Sequence, residues 1–489
     1  MLDRRHAFAQ NSFPRNVPLN RTIPLILAVA LFMEQMDSTV IATSLPAIAA
    51  DIGTSPITLK LALTSYFVAL AIFIPVSGWM ADRFGAKRVF RTAIGVFVIG
   101  SILCAMSNSL GAFVLSRFLQ GMGGAMMTPV GRLVLVRATR RDQLVSAMAW
   151  LTVPALIGPL VGPPIGGFIT TYVSWHWIFL INVPIGILGI IVSGRVLPDM
   201  PGGAAAPIDW RGFALAAVAA AGIVFGLSVV SLPALPPVIG VSTLMLGIAA
   251  ATLYVRHSRA TLSPILDLRL FDNPATRVAV LSGSIFRIGV GATPFLLPLM
   301  FQLAFGLDAF EAGMLTFASA IGAISLKFVA SRTLRAFGFR TVLIVASLCG
   351  AGLIAVNGLF TPATPYALII GTLVFAGFFR SLFFTSNNAL VFAEIDDSQA
   401  SQATAIAAVS QQISIALGVA AAGLFLEAHH LWTGEPIGLE AFSFAFFAVG
   451  ALAALAVVPI LGLSKTAGRA VSGHRLNKKG SDQPPPAAG

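Results

Sequence analysis

Five ionisable side chains lie deep inside apolar stretches of this 489-residue chain: Glu34, Asp37, Arg117, Arg287 and Arg380. A sixth, Lys327, lies near the end of such a stretch and can snorkel to a headgroup. An ionisable group in hydrocarbon costs about 2.5–3.5 kcal/mol on insertion scales, so each is a functional candidate. Glu34 and Asp37 are three residues apart and share one face of a helix. Two carboxylates in a poorly solvated cavity repel, and sharing a proton relieves the repulsion. That is the chemistry of a site that trades a proton for another ligand. The structural alternatives are a hydrogen bond from Asp37 to a neighbouring helix and a wet vestibule around Glu34. The fixed charge of Arg117 favours an ionised carboxylate when near and a protonated one when far; otherwise it makes a structural salt bridge. Arg287 and Arg380 either contact a ligand or tie helices together. Gln120, Gln302, Asn387 and Asn388 are polar groups that lipid excludes, and they are expected in a cavity.

The elements that hold these groups follow from composition. The chain is 57% hydrophobic and only 10% charged, with a mean hydropathy of +0.88. Soluble domains carry about 25% charged residues, so a multi-pass membrane protein is expected. Spanning helices are expected at 22–46, 59–80, 89–108, 110–132, 144–170, 176–197, 211–231, 237–255, 279–302, 311–330, 340–360, 366–390, 402–426 and 441–463. With the N-terminus inside, one face receives Arg4 to Arg21, Arg83 to Arg91, Arg137 to Arg141, Arg256 to Arg277, Arg332 to Arg340 and the tail from Lys465. The other face receives essentially Lys60. This asymmetry places both termini in the cytoplasm. It also explains the net charge of +12 without nucleic acid. Residues 1–21 read as a cytoplasmic segment without a cleavable signal, and 464–489 as a disordered basic tail.

Cys104 and Cys349 sit far apart in apolar spans, so no disulfide framework is expected. His429 and His430 are expected in a solvated outer loop, without the further ligands a metal needs. No Walker-type loop and no nucleophile elbow is present, so neither ATP-driven transport nor enzyme chemistry is expected.

Within one apolar run stand Gly158, Pro159, Gly162, Pro163, Pro164, Gly166 and Gly167. Such residues are tolerated in a bilayer where neighbouring helices pack closely and re-satisfy freed backbone groups. The run therefore predicts a bend and a close helix contact. Gly78-Trp79-Met80-Ala81-Asp82-Arg83-Phe84-Gly85-Ala86-Lys87-Arg88 lies between the second and third spans. It resembles the loop signature of the major facilitator superfamily, with Met80 and Ala86 as departures. Ser331, Arg335, Ala336, Phe337, Gly338 and Arg340 form a degenerate echo, with Arg335 in place of the acid.

Three further segments resemble the fourteen-span drug/proton antiporter (multidrug resistance) branch. They are Met36–Pro46, with Ala42 and Ser44 as departures; Arg117–Ala125 followed by Pro129; and Trp175–Gly186. The run from Gly158 to Gly167 resembles the fifth-span motif of the superfamily's antiporters.

The resemblance implies an all-α major facilitator fold: an N-terminal six-helix bundle over 22–197, a linker with two extra spans over 198–278, and a second bundle over 279–463. It implies a bacterial-type inner-membrane antiporter that exports hydrophobic or amphipathic compounds for protons, with no cofactor. Asp37, with Glu34 and Arg117, would couple the proton. Gly78, Asp82, Arg83, Gly85, Lys87 and Arg88 would form a cytoplasmic latch, and the glycine/proline run a pivot between the halves that binds neither proton nor guest. Gln120, Arg287, Gln302, Arg380 and Asn387 would line the substrate cavity. A dedicated exporter of one metabolite and a non-transporting receptor stay open as alternatives, as does a periplasmic adaptor.

Overall fold

The computed structural model describes residues 21–140, 143–203, 207–230, 232, 236–325, 330–393, 395–396, 399–464 and 467–468. Among them every regular element is helical. In chain order these are α1 (Thr22–Val40), α2 (Leu45–Asp51), α3 (Lys60–Phe84), α4 (Ala86–Ala105), α5 (Leu110–Ala138), α6 (Leu144–Tyr172), α7 (Trp177–Leu180), α8 (Asn182–Val196), α9 (Trp210–Val230) and α10 (Pro237–Ala260). The second part holds α11 (Pro274–Leu303), α12 (Ala309–Ser325), α13 (Ala330–Val356), α14 (Tyr366–Phe392), α15 (Ala400–Thr433), α16 (Leu439–Ala454) and α17 (Val457–Leu461).

Twelve helices among the described residues are long and apolar enough to cross a membrane. Two expected spans fall outside that set for different reasons. α5 has 29 residues but carries Arg117, Arg132 and Arg137. α12 is apolar with 17 residues, and its expected continuation falls on 326–329, outside the described residues together with Lys327. The N-terminal segment before Arg21 and nearly all of the tail also lie outside them.

Local chemistry sets several helix ends. Asn273 accepts hydrogen bonds from the N–H groups of Ala275 and Thr276, with Pro274 in the first turn of α11. Asp209 accepts from the Gly212 N–H at 2.9 Å and lies 2.8 Å from His257 of α10. Burial pushes its carboxyl up, but these partners outweigh that and hold it below the usual range. Gly85 breaks the chain between α3 and α4 at φ +92, and Gly338 breaks α13 at φ +71. Both conformations suit glycine alone. The echo found around Gly338 in the sequence therefore recurs as the same backbone device.

The helices form two bundles, α1–α8 and α11–α17, with α9 and α10 paired beside them. A Cβ on Gly222 would lie 2.7 Å from Gly247 Cα, so only glycine allows the α9–α10 backbones this near. α9 packs in turn on α3 and α15.

The buried core divides unevenly between the two ends of the helices. Residues such as Leu27, Leu31, Val89, Phe90, Val130 and Val134 form a core inside the first bundle at the end that carries Asp82. At the far end, Val40, Leu45, Leu59, Leu63, Phe113 and Phe179 of the first bundle join one continuous core with the second. The two bundles are thus packed together at the far end.

Candidate functional site

Asp37 is fully buried on α1 and is the centre of a polar network inside the first bundle. Its Oδ2 accepts from the Arg117 guanidinium of α5 at 2.7 Å. Its Oδ1 accepts from Gln120 Nε2 at 2.8 Å and from Asn182 Nδ2 of α8 at 2.9 Å. Gln120 also donates to Ser101 of α4 at 2.8 Å and accepts from Arg117. The Tyr66 ring of α3 lies 4.2 Å from the guanidinium carbon. Five helices thus contribute to one buried ion-pair network, which is how a charge this deep is tolerated.

Glu34 stands apart from this network. It is 5% exposed and accepts a hydrogen bond from Thr128 of α5. The two carboxylates were expected to share a cavity; they share the interior of the first bundle but no hydrogen-bond partner. Both point into the first bundle, while Gln35, Ser38, Thr39 and Ala42 occupy the α1 face toward the other bundle. The reason is helical phase: those residues project from the opposite side of α1 to Asp37.

A cavity does lie between the bundles, in two lobes of ≈ 380 and ≈ 390 Å³ that share Thr39, Ala42, Pro159, Val290, Pro294 and Phe384. Arg380 lines one lobe; Arg287 and Asn388 line the other. Three expected cavity residues are elsewhere. Gln120 belongs to the Asp37 network. Asn387 is 1% exposed and packs inside the second bundle, accepting from Ser282. Gln302 donates to the Thr43 carbonyl at 3.0 Å and ties α11 to the end of α1. In each case the helix face that decides the outcome is set by packing, which residue type does not reveal.

The glycine/proline run has two faces. Gly158, Gly162 and Gly166 lie against α1: a Cβ on Gly158 would sit 2.9 Å from the Phe32 carbonyl oxygen, and one on Gly166 would collide with the Val40 carbonyl. Gly167 is pressed on Ala309 and Phe310 of α12, and Gly313 of α12 on the Pro163 carbonyl. Pro159 and Pro163 line the cavity. The run was expected to bind neither proton nor guest, and its proline face borders the cavity. α6 therefore joins the Asp37-bearing helix, the cavity and the second bundle.

The latch residues lie together at one end of the first bundle. Asp82 pairs with Arg137 of α5 at 2.6 Å, and both side chains are largely exposed. Lys87 pairs with Asp199 at 2.8 Å, and that hydrogen bond holds the exposed Asp199 carboxyl below the usual range. The Gly203 N–H donates to the Asp82 carbonyl at 2.9 Å. A Cβ on Gly85 would lie 2.5 Å from the Met200 carbonyl oxygen. The turn was expected to act as a cytoplasmic latch; these pairs tie it to α5 and to the segment leading into α9. Arg83 and Arg88 border an open basic recess there, and Gly78 is exposed, with no atom within 4 Å of a Cβ built on it.

Several participants escaped the sequence reading. Asn182 was visible only as part of the segment Trp175–Gly186. Lys60, expected on an aqueous face, is fully buried: a Cβ on Gly423 of α15 would lie 2.8 Å from its Nζ, and its charge interacts with Glu427. Glu427 is 4% exposed and fell just past the expected end of its span. α15 in fact continues to Thr433 and stops where Gly434 turns left-handed at φ +72. His429 and His430 therefore belong to this helix and not to a loop; the buried His429 packs on Phe444. No metal-type cluster occurs among the described residues.

The profile of the Major Facilitator Superfamily matches residues 27–268 and 279–485. "Probable transport protein HsrA" of Haemophilus influenzae is 35% identical over 87% of this chain and 92% of its own length. "Putative multidrug resistance protein MdtD" of Yersinia enterocolitica is 36% identical over 88% of this chain and 92% of its own. The same fold occurs in a D-xylose–proton symporter, with TM-score 0.66 at 16% identity over 91% of this chain and 98% of that one. It occurs again in the POT family transporter PepTSo, with TM-score 0.68 at 14% identity over 91% and 98%. A profile spanning both bundles and relatives aligned over nearly their whole length lead to one conclusion: the chain belongs to the Major Facilitator Superfamily, a superfamily of membrane transport proteins and not of enzymes.

Proposed function

We propose that the chain is a proton-coupled antiporter of the fourteen-span drug/proton branch that exports amphipathic, mostly hydrophobic compounds by alternating access. The observation that carries this reading is the placement of Asp37 and the cavity on opposite faces of α1. A proton arriving at Asp37 neutralises the partner of Arg117 and loosens α1 from α5. The same helix presents Ser38 and Thr39 to the guest, so proton and guest are coupled through one rigid element. Glu34, one turn earlier, is the proton's entry group. The relatives named as multidrug resistance proteins support the substrate class.

On this reading the latch end faces the cytoplasm, both termini are cytoplasmic, and the bacterial inner membrane is the site of action. The far end, where the bundles share a core, is then the closed outer gate. The proton gradient supplies the energy, at about 2.3 kcal/mol per charge per 100 mV plus the pH difference, without a cofactor. In everted vesicles energised to an acid interior, several unrelated amphipathic dyes and drugs are expected to release protons outward when added. Proton release with a single compound alone would establish a dedicated exporter instead. No release with any compound, and no accumulation, would favour a non-transporting receptor.

A further inference from the structure

We infer that the central cavity takes small amphipathic organic anions, whose acidic group is held by Arg287 and Arg380 on either side of the Phe384 ring. This rests on the central cavity being the guest site. Arg287 is 7% exposed, and among the described residues its one hydrogen bond, at 3.2 Å, goes to the Asn388 side-chain oxygen. Its guanidinium carbon lies 4.8 Å from the centre of the Phe384 ring. Arg380 is one helical turn before Phe384 on α14, so both share the face that lines the cavity. Among the described residues neither guanidinium is in an ion pair. Among the described residues neither lobe has an aspartate or glutamate in its lining. The nearest intramembrane acids of α1 face away, and Asp37 is already paired with Arg117.

A buried guanidinium without an anion is an expensive arrangement unless something completes it. A planar fork of donors suits a carboxylate, sulfonate or phosphonate, which can be gripped through two parallel hydrogen bonds. Around the two arginines the lining is Phe286, Val290, Pro294 and Leu297, which suits an aromatic or alkyl body. A cation of the same size would meet two positive charges and no compensating acid. The cavity thus combines an apolar wall with two positive charges that have no acidic partner among the described residues.

The test is direct binding to the full chain in nanodiscs of zwitterionic phosphatidylcholine, by equilibrium dialysis, with no proton gradient. The probes share one body: 2-naphthylacetate, its neutral amide and the corresponding ethylamine. The acetate is expected to bind about tenfold or more tightly than the amide, the size of one good charge-assisted contact, and the amine weakest. Arg287→Gln and Arg380→Gln should each bring the acetate down to the amide, with amide binding retained as evidence of an intact cavity. An amine that binds as tightly as the acetate, or a ranking unchanged in both variants, would overturn the inference. So would complete loss of acetate binding in discs containing phosphatidylglycerol, which would identify a lipid headgroup as the occupant. Because binding is read without a gradient, a failure of proton-coupled export leaves this result standing, and the reverse holds too.

Discussion

Asp37→Asn separates the structural and coupling roles of the buried ion pair. The substitution keeps the side chain's shape and its place between Gln120 and Asn182, but it removes the charge opposite Arg117. Arg117 is fully buried, and its Nε already has no partner among the described residues. Breaking a buried pair from one side costs about 3–5 kcal/mol, because the remaining charge is uncompensated. A neutral hydrogen bond contributes only about 0.5–1.5 kcal/mol, so the orphaned charge dominates. The Tyr66 ring and Gln120 offset part of it, which puts the expected loss near the lower end of that range. Thermal unfolding of the purified variant in nanodiscs should therefore fall clearly below wild type. Adding Arg117→Gln removes the orphaned charge and should restore most of the lost stability. Proton-driven efflux in everted vesicles should be absent in both variants, since neither carries a group that exchanges a proton there. Full efflux by Asp37→Asn would refute the coupling role. Unfolding at the wild-type temperature would refute the dependence of Arg117 on Asp37, and a double variant that recovers both properties would make the pair purely structural.

Two other outcomes follow from the geometry. Gly166→Leu should abolish transport while the protein still inserts, because its Cβ would already collide with the Val40 carbonyl, and overpacking of this kind costs about 1–3 kcal/mol; normal transport would contradict the α1–α6 contact as a working joint. Glu427→Gln should remove one charge that acts on the buried Lys60 and favour opening of the far end, so maleimide labelling of an Ala309→Cys reporter should speed up about tenfold for a shift of about 1.4 kcal/mol; an unchanged rate would show that Glu427 does not help to hold the far end closed.

Much of the fold was legible because its causes are local or compositional. Hydropathy marks a span, so the expected segments coincide with helices, α5 included despite its arginines. A glycine needed at positive φ leaves a residue-level trace, which is why Gly85 and its echo Gly338 were readable in advance. Glycine spacing in the run from Gly158 announced a close helix contact, and three of those glycines make one with α1. Asp37 and Arg117 stood out because charge in hydrocarbon is costly and therefore rare. The same logic missed Glu427, since the expected end of its span lay too early.

The residue types therefore determined by themselves that this chain crosses a membrane many times and that a few charges lie where water cannot reach them. Composition and local backbone demands suffice for that, because each span must satisfy its own hydrogen bonds before any partner arrives. The tertiary structure decided which charge meets which. Rotation of each helix sent Asp37 and Gln120 into the first bundle, Asn387 into the second, and Arg287, Arg380 and Asn388 to the space between them. It also took Lys60 from an expected aqueous face and buried it against α15. A helix face is a choice among neighbours separated by tens or hundreds of residues, and no local pattern records which neighbour will be there.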